Sequence, residues 1–185
     1  MMTVSEEVES LHKRLSPPTP SLIKSLRTKG VSLDALCEPE LPAFVNVVFH
    51  DDQPLFDFTD EACDEGAVRS LVFLARDESG DPLDLVAWSR KTNRLASWYG
   101  RAALLGLESR WAPRIGAEGL RICFDPLAWL VAERDGVVII DPESARWQLA
   151  RESLVVSDVA FGRHVHATLR LPDPKVYVES GRAAA

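Results

Sequence analysis

The spacing of apolar positions changes character along this chain. In VSEEVESLHKRL (4–15), Leu11 and Leu15 fall at helical spacing behind Ser5 as N-cap, which predicts a short helix. SPPTP (16–20) breaks it, and SLIKSLRTKG (21–30) predicts a second short helix ending at Gly30. Residues 1–36 are weakly apolar and are expected to form a helical N-terminal arm free to move relative to the body. FVNVVFH (44–50) alternates with the period of a strand, and residues 37–69 are read as an acidic connecting segment around it. LVFLAR and LDLVAW then flank DESGDP, a run of turn formers, and KTNR turns the chain into RLASWY. The expectation over 70–112 is a three-stranded antiparallel meander, followed by RAALLGLESRW (101–111) as a short helix or turn broken at Gly106.

From residue 120 the pattern alternates. LRICF, GVVIID, SLVVS and KVYVES read as strands, and PLAWLVAER, PESARWQLARE and DVAFGRHVHATLRL read as the helices between them. Nearly continuous apolar strands alternating with helices predict a parallel sheet covered on both faces. The expected fold class is therefore α/β: a parallel sheet flanked by helices over 113–179, preceded by the meander and the helical arm, with 70–179 as one compact domain. Phe161, Val165 and Leu169 mark the core face of the last helix, so His164 and His166 diverge toward its rim. Trp88, Trp129 and Trp147 read as core or rim aromatics. The GRAAA tail is expected to fray.

Composition narrows the setting. The chain has 185 residues, 46% hydrophobic and 26% charged, which fits one globular domain with an appendage. No apolar run reaches the ~18–20 residues of a membrane span, and the N-terminal stretch has charges of both signs, so neither a span nor a secretory leader is expected. Cys37, Cys63 and Cys123 are odd in number and far apart, which argues against a disulfide framework and a CxxC zinc site. Cys123 lies in an apolar strand pattern and is expected to be a buried thiol, and a reducing, cytoplasmic location fits.

The net charge of −7 is concentrated: residues 31–66 carry ten Asp/Glu and no Lys or Arg. Within it His50, Asp51 and Asp52, with Asp57 or Asp60, could coordinate a divalent cation, although an exposed acidic loop is the simpler reading. No run of Lys/Arg suits non-specific binding to a phosphate backbone. The nearest candidate for nucleic acid is Arg90, Lys91, Arg94 and Arg101 with Trp98 and Tyr99 among them, a surface able to stack a base, or else a solvated hairpin edge. No GxSxG, Walker loop, HExxH or GxGxxG is present.

The meander, the Gly100–Leu107 connection and the β-α-β-α-β-α-β succession together resemble the toprim region of phage- and plasmid-type primases. Ala75-Arg76-Asp77 and Gly80 are similar to the hairpin of those proteins, and the resemblance covers roughly residues 70–178. It implies Mg²⁺-dependent phosphoryl chemistry at a Glu after one strand and an Asp-x-Asp after a later one. In this chain those positions fall on Phe124 and on Ser157 and Val159, with Ala128 in place of a helix Asp. The resemblance therefore implies a degenerate toprim domain: a non-catalytic protein, without a cofactor, that binds a protein or nucleic-acid partner in replication or mobile-element biology.

Two alternatives stand beside it. Asp125, Asp141 and Asp158 each follow a parallel strand, at the edge where open α/β sheets bind ligands, and could rebuild a Mg²⁺ site for a nucleotidyl-transfer or nuclease-like enzyme. The same residues, two of them followed by Pro, also make N-caps for the helices that follow. The other alternative is a protein-binding module that uses the acidic segment 31–66.

Overall fold

The computed structural model describes residues 3–60, 65–108 and 119–170. The expected KVYVES strand, the GRAAA tail and Cys63 lie outside the described residues. Helix α1 (Val4–Arg14) starts at Thr3 rather than Ser5: the Thr3 hydroxyl accepts from the Glu6 amide, and the Glu6 carboxylate accepts from the Thr3 amide at 2.7 Å. That reciprocal box satisfies two first-turn donors, which a cap at Ser5 would not do. Helix α2 (Pro20–Arg27) is capped by Thr19 with Pro20 in its first turn, and α3 (Leu33–Cys37) by Ser32.

The larger sheet is antiparallel, not the expected parallel one. It runs β2 (Phe56–Phe58), β1 (Ala43–Phe49), β3 (Ala67–Arg76), β4 (Pro82–Ser89), β5 (Arg94–Ser97) in spatial order. The expected meander is its β3–β4–β5 part, and the DESGDP turn forms with the Asp77 carboxylate accepting from the amides of Ser79 and Asp81. The sheet curls until its edges touch: Leu55, just before β2, bridges Ser97 of β5, and the Ser97 amide donates to the Pro54 carbonyl at 2.8 Å. Both faces are covered. Leu71, Phe73, Val86 and Trp88 point to one core, and Val72, Leu74, Leu85 and Ala87 to another. Val8 of α1 is fully buried in the second of these.

The parallel unit is the smaller layer. Its order is β6 (Leu104–Leu105), β8 (Val137–Ile139), β7 (Leu120–Cys123), β9 (Leu154–Val155). Strands β7, β8 and β9 are parallel, and β6 runs antiparallel to β8. The stretch expected as a helix or turn at 101–111 thus supplies an edge strand, while its residues 109–111 lie outside the described ones. Gly106 permits this: a Cβ there would sit 2.5 Å from the Gly136 carbonyl oxygen. Helix α4 (Pro126–Val131) packs with α2 and α3 between the two sheets, and α5 (Pro142–Leu149) and α6 (Val159–Leu169) cover the outer face of the second sheet. Trp129 joins the layers, edge-on to Phe73 at 5.8 Å with its indole donating to the Gly136 carbonyl at 3.0 Å. No described helix is long and apolar enough to cross a membrane.

One buried carboxylate fixes the passage from the first sheet to the second. Asp84 in β4 is 0% exposed. It accepts from the amides of Leu85 (2.8 Å), Tyr99 (3.0 Å), Arg101 (2.8 Å) and Ala102 (3.4 Å). Four donors on one carboxylate hold the bend around Gly100, whose φ of 71° is left-handed. An amide in place of the carboxylate keeps the shape but turns one acceptor into a donor facing donors. Asp84→Asn is expected to lower unfolding free energy by roughly 1.5–3 kcal/mol in urea titrations. A loss within error of zero would show that the bend holds without the charge.

Candidate functional site

The three aspartates at the ends of the parallel strands are N-caps. The Asp125 carboxylate accepts from the Ala128 amide at 2.8 Å, starting α4. Asp141 accepts from the amides of Glu143 (3.0 Å) and Ser144 (3.2 Å), starting α5. Asp158 accepts from the Phe161 amide at 2.8 Å and from the Ser157 hydroxyl at 3.0 Å, starting α6. The Phe161 amide, followed by the Ser157 hydroxyl, holds the Asp158 carboxyl below its ordinary value. The strands that lead to these caps are neighbours in the order β8, β7, β9, so the caps follow one another along one sheet edge. Among the described residues no group of three or more His, Cys, Asp or Glu side chains is placed to hold a metal ion.

Two of the positions at which the sequence resemblance expects metal ligands carry apolar side chains. Phe124 is 62% exposed and Val159 71% exposed, both at that same edge. Phe124 leans edge-on against Phe161 of α6 at 5.5 Å. Beside them a depression is lined by Val156, Asp158, Val159, Gly162, Arg163 and His166. It shares Val156, Gly162 and His166 with a groove between α5 and α6 whose volume is about 570 Å³. Trp147 of α5, expected as a core or rim aromatic, is 65% exposed, whereas Trp88 and Trp129 are buried. The sequence pattern did not single out this apolar end. The one available signal is Leu154-Val155, two apolar residues in a strand too short to show alternation.

The other expected sites are divided among internal contacts. The His50 ring meets the Asp57 carboxylate at 2.8 Å, and Asp51 pairs with the Arg94 guanidinium at 3.0 Å. Arg94 also donates to the His50 carbonyl, so it ties the β1–β2 loop to β5. Arg90 reaches Ser25 of α2 at 3.4 Å, on one face of the first sheet. Trp98 packs edge-on to Phe58 at 5.4 Å in the core on the opposite face. Lys91 is exposed in the β4–β5 turn, and Arg101 is exposed while its amide binds Asp84. Arg90, Lys91, Arg94, Trp98 and Arg101 therefore do not form one platform for a stacked base.

A charged cluster that the sequence pattern did not reveal lies where α1 meets the body. Arg76 pairs with Glu40 at 2.7 Å and donates to the Gly80 carbonyl at 2.8 Å. Arg134 donates to the carbonyls of Ala35 (2.7 Å) and Glu40 (2.9 Å), placing a cation at the C-terminal end of α3. Among the described residues, the buried side-chain nitrogens and oxygens without a hydrogen-bond partner are His12 Nε2, Arg76 Nε and Glu108 Oε2. Each belongs to this cluster. Burial pushes the His12 imidazole below its ordinary value of 6.5, with Arg76 and Arg134 adding to the effect and Glu40 and the Val72 carbonyl opposing it. Burial likewise pushes the Glu108 carboxyl up, opposed by its own amide and by Arg134.

Comparison of the chain with protein-family models, curated proteins and solved structures finds no match.

Two outcomes are expected. Asp141→Ala should cost about 0.5–2 kcal/mol of stability and Asp141→Asn far less, because Asn caps a helix about as well. Equal losses in urea unfolding would mean that the charge at the edge matters beyond capping. His12, whose folded pKa lies below the unfolded one, contributes stability above the unfolded value of 6.5 that is lost as pH falls through that value toward the folded one. Glu108 has the opposite sign, and its contribution falls as pH rises from its ordinary value of 4.5 toward the raised folded one. The unfolding free energy of the wild type relative to His12→Asn should therefore decline as pH falls below about 6.5. An unchanged slope in the variant would assign the titration elsewhere.

Proposed function

We propose that this chain is a toprim-like α/β protein without metal chemistry, which works by binding a protein partner at the edge where β7 and β9 end. One observation carries the reading: Phe124 and Val159, at positions where the toprim resemblance calls for metal-bound carboxylates, are exposed apolar side chains. A divalent cation needs oxygen ligands, which neither side chain offers. Exposed apolar surface flanked by polar groups suits a protein contact instead. The parallel β7–α4–β8–α5–β9–α6 succession supports the resemblance, and the replication or mobile-element setting rests on that resemblance alone.

The other readings receive less support. Asp125, Asp141 and Asp158 each accept amides of their own helices, so a cation would have to compete with these bonds. The acidic segment spends Glu40, Asp51 and Asp57 on pairs within the chain. Nucleic acid is disfavoured because Arg94 is neutralised by Asp51.

Thermal unfolding with and without Mg²⁺ or Mn²⁺ tests the reading on the wild type and on the triple change Asp125→Asn, Asp141→Asn, Asp158→Asn. The expected result is the same melting temperature with and without metal for both proteins. A metal-dependent gain in the wild type that the triple variant lacks would place a cation at this edge by binding linkage, and the enzyme reading would replace this one.

A further inference from the structure

We propose that α1 is a pH-gated flap: protonation of His12, which the helix buries against the body, releases α1 from the inner face of the first sheet. The proposal concerns the α1 junction and is independent of the β7/β9 edge. The first argument is how α1 is held. Val8 is fully buried, and Val4, Leu11 and Leu15 pack against the core that contains Val47, Val72, Leu74 and Leu85. A helix of 11 residues is marginal on its own in water, so α1 keeps its amides protected only while docked. Ser16-Pro17-Pro18-Thr19-Pro20 joins it to α2. Three prolines in five residues do not propagate a helix, so α1 and α2 are separate pieces and opening one does not unwind the other.

The second argument is the place that His12 occupies. Its side chain is buried, and among the described residues its Nε2 has no hydrogen-bond partner. The ring bonds to the backbone of Val72 in β3. Three charged side chains of the body act on it: Arg76 at the end of β3, Arg134 before β8, and Glu40 before β1. The Glu40 carboxylate is committed to Arg76 at 2.7 Å, and its carbonyl accepts from Arg134 at 2.9 Å. Glu108 shares the same two guanidiniums, and burial favours its neutral form. Asp84 of β4, beneath α1, accepts from four amides. On α1 itself, Glu9 pairs with Lys13 at 2.8 Å and Glu7 accepts from the Tyr99 hydroxyl at 3.2 Å, both at the surface.

These surroundings set the direction of the switch. A docked imidazolium would add a third cation to a buried cluster that already holds two guanidiniums, and its Nε2–H would need an acceptor. In water the released ring titrates at its ordinary value of 6.5. The docked ring stays neutral to lower pH, so acid favours the released form as pH falls through 6.5. Release uncovers Val47, Val72, Leu74 and Leu85, all buried while α1 is docked. Acid therefore brings out an apolar surface that neutral pH conceals.

Amide exchange on the full chain, corrected for the intrinsic effect of pH, reads the opening constant of each element. At pH 7.5 the amides of Val8, Leu11 and Lys13 should open at least roughly tenfold more readily than those of β3 and β4. Between pH 7.5 and pH 5.5 the α1 opening constant should rise roughly three- to tenfold. His12→Asn and His12→Gln should each open α1 equally at the two pH values. Val8→Ala, which loosens the dock without touching the ring, should raise α1 opening at both. Equal opening constants for α1 and β3 at both pH values would overturn the proposal, because α1 would then leave only with the whole domain. A wild-type pH ratio near one, or a ratio that survives both His12 changes, would overturn it too. So would an α1 opening that Val8→Ala leaves unchanged.

Discussion

The passage from the first sheet to the second depends on the Asp84 carboxylate. A buried acid with no compensating donors is among the most costly things a fold can contain. Here the donors are amides of Leu85, Tyr99, Arg101 and Ala102, so the acid is satisfied only if the chain turns as it does after β5. That turn delivers Ala102 and Leu105 into the core between the sheets and sets Leu104–Leu105 against β8. Trp129 completes the same junction from the other side, with its ring on Phe73 and its N–H on Gly136. The relation of antiparallel to parallel layer is thus fixed by one acid and one indole, both buried with their polar atoms paired.

The acidic segment acquires a structural role once the first sheet is seen to curl. Curling brings the β1–β2 loop against β5, and the Asp51–Arg94 pair and the Leu55–Ser97 bridge lie at that meeting. Exposed ion pairs of this kind contribute little stability. Their effect is on which edges meet, and it consumes the charges that would otherwise advertise a cation site or a nucleic-acid surface. Glu40 acts similarly in a less exposed setting, holding Arg76 through its side chain and Arg134 through its carbonyl.

What the sequence made legible was local. Helices α4, α5 and α6, with Asp125, Asp141 and Asp158 before them, follow from caps and periodicity within a few residues, as does the Asp77–Asp81 turn. What it concealed was pairing across distance. Leu71, Val72, Phe73 and Leu74 form a nearly continuous apolar run because β3 is covered on both faces, a signature that buried antiparallel strands share with parallel ones. Two-residue strands such as β6 and β9 are too short for period two to register. The His12, Glu40, Arg76, Glu108 and Arg134 cluster joins residues spread over most of the chain, each reading as an ordinary surface charge in its own neighbourhood.

The sheet edge illustrates why residue type and position together do not define a site. An Asp just past a parallel strand stands where a metal ligand would stand and also where the following helix needs an acceptor. The two roles differ in where the lone pairs point. A carboxylate turned back onto its first turn commits an oxygen to an amide there, as Asp125 and Asp158 do. What then faces outward is set by the neighbouring residues, Phe124 before one cap and Val159 after the other.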